Sequence, residues 1–71
     1  MKLILRQLRP GVATVVRVND NDGQVFMFTG GRVEAKRYIK LLRLCVGWEN
    51  VPAFCEKKTR GRRPPTYVEI P

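Results

Sequence analysis

Few side chains in this 71-residue chain can do chemistry, and most of those that can are cations. Histidine and serine are both missing, so the usual general base and the serine nucleophile are missing too. Two thiols, Cys45 and Cys55, leave a tetrahedral zinc site half empty. Cys45 falls on the apolar face of an expected helix, where burial makes a thiol inert. Cys55 lies close to Lys57 and Lys58, which would favour its thiolate, yet packing is the simpler role. Asp20 and Asp22, in "NDNDG", are the only close pair among six acids. An EF-hand loop counted from Gly23 would begin at Val18 and end at Thr29, and neither is an acid. The segment reads as a polar turn. The expectation is a protein that is not an enzyme and holds no metal or cofactor.

The cations carry the signal. Lys and Arg number 14 against 6 acids, a net charge of +8, and arginine outnumbers lysine nine to five. Guanidinium offers a flat fork of donors that matches phosphate oxygens. The densest stretch is "KKTRGRRPP", residues 57–65, with Lys57, Lys58, Arg60, Arg62 and Arg63 and no acid. A second group, Arg32, Lys36, Lys40 and Arg43, lines one arc of the expected helix. Acids are absent from that arc, although like charges spaced i,i+4 destabilise a helix by a few tenths of a kcal/mol. These nine residues are the candidate binding site.

The elements that must hold them follow from pattern. "KLILRQL" at 2–8 leans to β, and "RPG" at 9–11 breaks it. "VATVVRV" at 12–18 is β-branched, "NDNDGQ" at 19–24 is turn chemistry and "VFMF" at 25–28 returns, which together make a hairpin. Thr29 is placed to cap a helix over 32–46 that stops at Gly47. Ala35, Tyr38, Ile39, Leu42, Cys45 and Val46 form its core face, and Val33, Leu41, Leu44 and Trp48 form a second apolar flank. Core packing is expected for Phe26, Phe28 and Tyr38, whereas Trp48 and Tyr67 could pack or stack. "AFCEKK" at 53–58 and "TYVEI" at 66–70 read as strands with the basic stretch at their tip. The whole is one small basic domain, 1–71, of α+β class: an antiparallel sheet of three to five strands on one amphipathic helix, in the order β-β-β-α-β-β.

"RGRRP" is similar to the core of an AT-hook, in which arginines beside a glycine lie in a narrow minor groove. "GRRPPTYVEI" resembles the DNA-embracing β-arm of the HU/IHF family at Gly61, Arg62, Pro64, Thr66, Glu69 and Ile70, with Arg63 in place of an asparagine. That resemblance covers ten residues and implies a stiff, basic, proline-containing tip that enters a minor groove. The front half is similar in outline to integrase arm-binding domains, which lay a three-stranded sheet into a major groove. "KKTR" also fits a minimal nuclear-localisation pattern.

Two functions remain open. One is a small non-enzymatic nucleic-acid-binding protein, DNA favoured over RNA. The other is a small protein of the kind phages encode, which binds and inhibits an acidic surface of a host protein. No run is long and apolar enough to span a membrane, and two free thiols suit a cytoplasmic setting. The second helix flank suggests a homodimer.

Overall fold

The computed structural model describes all residues, 1–71, as one helix laid on a five-stranded sheet. Strands β1 (Lys2–Arg9), β2 (Val12–Val18) and β3 (Gln24–Gly30) precede helix α1 (Arg32–Cys45), and β4 (Ala53–Lys57) and β5 (Thr66–Glu69) follow it. The order across the sheet is β3-β2-β1-β4-β5. The expected α+β class and element order are what is found.

The sheet is mixed, not purely antiparallel. β1–β2, β2–β3 and β4–β5 are antiparallel, but β4 runs parallel to β1. The reason is parity. The two hairpin turns reverse the chain twice, and the turns into and out of α1 reverse it twice more between β3 and β4. A strand that enters beside β1 after those four reversals must point the same way as β1.

The turns explain themselves locally. Pro10 presets its own φ and Gly11 adopts φ 79°, the residue pattern of a type II turn between β1 and β2. The β2–β3 loop is five residues, Asn19–Gly23, closed by Asn19 N–H donating to the Gly23 carbonyl at 2.8 Å. Val15 pairs with Phe28 and Val16 with Phe26, so Met27 is an extra residue, a β-bulge. The helix does not begin at a Thr29 cap. Thr29 belongs to β3, where its hydroxyl lies 3.4 Å from Thr14 Oγ1, and Gly31 is the N-cap. At the other end Gly47 takes φ 81°, and Trp48 N–H donates to the Leu42 carbonyl.

One face of the sheet packs on the helix. Leu3, Leu5, Ala13, Val15 and Ala53 meet Ala35, Ile39 and Leu42, and Phe28 stacks on Tyr38 at 5.0 Å. Each fully buried Leu, Ile or Val here contributes roughly 1.5–3 kcal/mol. Cys45 and Val46 were expected in this core and are exposed, because α1 ends at Cys45 and the chain leaves the sheet there. Phe26 is also no core residue. It pairs with Val16 on the face away from the helix and is 68% exposed. Ile4, Val16 and Val18 form a small buried cluster on that second face.

Candidate nucleic-acid interface

The register fixes which loops share an end of the sheet. Gln7, Ala13 and Gly30 lie at one level across β1, β2 and β3. The Pro10–Gly11 turn, the start of α1 and the exit of β3 therefore share an end. β4 runs parallel to β1, with Leu5 opposite Cys55, so Lys57 and the β4–β5 tip point the same way. Arg9, Arg32, Lys57, Lys58, Arg60, Arg62 and Arg63 gather at this end. Asn19–Gly23 and the connector that carries Glu49 lie at the other.

The basic stretch is the tip of a true hairpin. Lys57 pairs with Thr66 and Glu56 with Tyr67, which leaves residues 58–65 as the loop. Thr59 Oγ1 lies 2.9 Å from the Arg63 carbonyl oxygen and 3.1 Å from that of Pro64, and its single proton pins the loop across its neck. Gly61 takes φ 76°, a left-handed conformation that side chains oppose. Pro64 and Pro65 fix φ on the return limb. Arg60, Arg62 and Arg63 are all exposed on this frame.

Grooves join the tip to the helix. Parallel pairing of β1 and β4 stops at Leu5 and Cys55, and beyond it a cleft of about 620 Å³ opens, lined by Gln7, Leu8, Arg9, Pro10, Glu56 and Lys58. A second groove brings Arg32 beside Lys57 and Lys58, and a third holds Arg32, Lys36 and Lys57. Lys36 and Lys40 continue the track along α1. Arg32 also reaches Cys55, whose sulfur lies 3.8 Å from its Nη2.

Arg43 stands apart. Its guanidinium donates to the carbonyls of Ile70 at 3.2 Å, Pro71 at 2.8 Å and Val51 at 3.4 Å. It works as a clamp between α1 and the chain beyond β5, with both terminal nitrogens engaged and Nε buried without a partner.

Charge pairing sharpens the site. Glu56 accepts from Arg6 Nε at 3.0 Å and from the Tyr67 hydroxyl at 3.3 Å, so the acid nearest the tip is neutralised at the hairpin base. Lys57, Lys58, Arg60, Arg62 and Arg63 pair with no acid. At the far end the Met1 amino group hydrogen-bonds Asp20, and that bond and charge hold the Asp20 carboxyl below its ordinary value. No group of three or more Cys, Asp or Glu comes together in a way that could hold a metal ion.

Of the nine predicted residues, the structure brings Arg32, Lys36, Lys57 and Lys58 to shared grooves and sets Arg60, Arg62 and Arg63 on the tip above them. Lys40 extends the line and Arg43 is the clamp. Arg9 is the cation that sequence reasoning missed, and only the parallel β1–β4 pairing signals it. On the second apolar flank Val33, Leu41 and Leu44 are exposed, while Trp48 packs on the core. No helix is long and apolar enough to cross a membrane. No family model matches this chain, and no curated protein and no solved structure matches it either.

Proposed function

We propose that this chain is a non-enzymatic nucleic-acid-binding protein that grips phosphates with its basic end and favours DNA over RNA. One observation carries the reading. The topology collects unpaired cations from three separate segments at a single end of the sheet. A solvated surface has no need of that focusing, and a phosphate backbone rewards it. The pinned tip loses little conformational entropy on docking. Its narrow Gly-Arg-Arg-Pro course suits a B-form minor groove, where inserted arginines meet enhanced negative potential. Arg32, Lys36, Lys57 and Lys58 then take flanking phosphates, with Lys40 furthest along.

The test is the affinity for a fluorescent duplex against salt. With about five phosphates neutralised, log K should fall with log salt at a slope of roughly −4 to −5. A slope near zero sinks the proposal. Competition by single-stranded RNA of equal length decides the preference for DNA. Capture from lysate with and without nuclease separates the rival reading, since an inhibited protein partner would persist after the nucleic acid is digested.

A further inference from the structure

No second layer packs on the face of the sheet opposite the helix. Phe26, Val16, Ile4 and Phe54 lie in register as one apolar row across β3, β2, β1 and β4. Ile4 and Val16 are already buried, yet Phe26 stands 68% exposed at the end of the row. The next row is polar and internally satisfied, with Thr14 donating to the Phe28 carbonyl at 2.8 Å and Arg6, Glu56 and Tyr67 bonded together. We infer that this face is covered by the same face of a second copy of the chain, sheet against sheet.

Three observations choose that occupant. The first is area. The chain exposes 5237 Å², where a compact monomer of 8.2 kDa exposes about 4,500 Å². The surplus of roughly 700 Å² is close to the ~800 Å² that each partner gives up in a standard interface. The charged hairpin tip and the outer flank of α1 contribute part of it, and on this face Phe26 and Tyr67 add exposed aromatic surface.

The second is charge. Lys2 and Arg6 on this face are balanced by Glu56 and Glu69, so two copies meet without net repulsion. The competing surface is the outer flank of α1, with Val33, Leu41 and Leu44 exposed. That helix carries Arg32, Lys36, Arg37, Lys40 and Arg43 against one acid, Glu34. Two such helices side by side would confront ten positive charges with two negative ones. The same balance disfavours nucleic acid on the sheet face, since Glu56 and Glu69 lie there and Lys2 is its one unpaired cation.

The third is the kind of anchor. Exposed aromatics, Phe among them, are enriched in protein contacts, and two sheets stack at about 10 Å when their inner faces interdigitate.

Sedimentation equilibrium of the full chain at ~50 μM, with affinity expected at micromolar or tighter, reads the outcome. The expected mass is twice 8.2 kDa. Phe26→Asp should give a monomer with unchanged circular dichroism, and the double variant L41D/L44D should remain dimeric. Phe26→Thr provides a second disruption if the aspartate variant fails to fold. In the wild-type protein, a soluble paramagnetic probe should broaden the Leu44 signals and spare those of Phe26. A monomeric wild-type chain overturns the inference. So does dissociation by L41D/L44D while both Phe26 variants stay paired, or broadening at Phe26 with Leu44 spared.

Discussion

Arg9 and Arg37 carry the same charge and are both exposed, yet the fold gives them different fates. Arg9 lines the cleft beside Lys58, whereas Arg37 sits on the outer helix with Val33 and Leu41. Arg9→Gln should therefore lower the salt slope of DNA binding by about one and weaken binding severalfold, and Arg37→Gln should do neither. Duplex titrations at two salt concentrations check this. Equal losses would mean that net charge alone drives binding. Nothing in the sequence around "LRPG" marks Arg9, because its neighbour Lys58 is brought to it by strand pairing. By contrast, "KKTRGRRPP" was legible as a hairpin tip because apolar β-formers flank it on both sides. Cys45 misleads for an opposite reason: its helical angle is right for the core, but the helix outruns the sheet there.

At the scale of elements, the first hairpin could be read from composition, with valines on each limb and Asn, Asp and Gly between. The helix was readable to within a residue, since Gly47 stops it as expected. What could not be read was the direction of β4. Both orientations of a short strand bury the same alternating residues, and only the partner decides, which here is β1. The N-cap was also obscured, because Thr29 is both a good cap and a good β residue and the sheet claims it. Arg43 shows the same ambiguity on the helix, where a phosphate contact and a carbonyl clamp look alike in sequence. Its contacts predict that Arg43→Met destabilises the fold by about 1–3 kcal/mol, because the part-buried Ile70 and Val51 carbonyls lose their donor. Urea unfolding measures the loss. DNA affinity of the folded fraction should change less for Arg43→Met than for Arg9→Gln.

At the scale of the molecule, charge is focused rather than spread, and it is insensitive to pH. No histidine contributes to the basic end. Binding measured at constant ionic strength should therefore be flat from about pH 5.5 to 7.5. A step in that window would require a titrating group in the interface. Asp20 acts only below the window. Its folded-state value is lowered by the Met1 amino group, so what it contributes is present above the ordinary aspartate range and fades as pH falls through the lowered value. Acid should loosen the end with Asn19–Gly23 before it affects the tip.

The outermost strands have a consequence for how concentrated solutions age. β5 has four residues, bracketed by Pro64 and Pro65 before it and Pro71 after it, and β3 is broken by the Met27 bulge. Neither rim presents a long, flat row of free amides, which is what sideways strand addition needs. Growth into filaments is blocked at both rims while the flat face stays available. A sample held near ~1 mM should remain clear and thioflavin-negative for days. Straightening β3 by deleting Met27 should remove that protection and let fibres form.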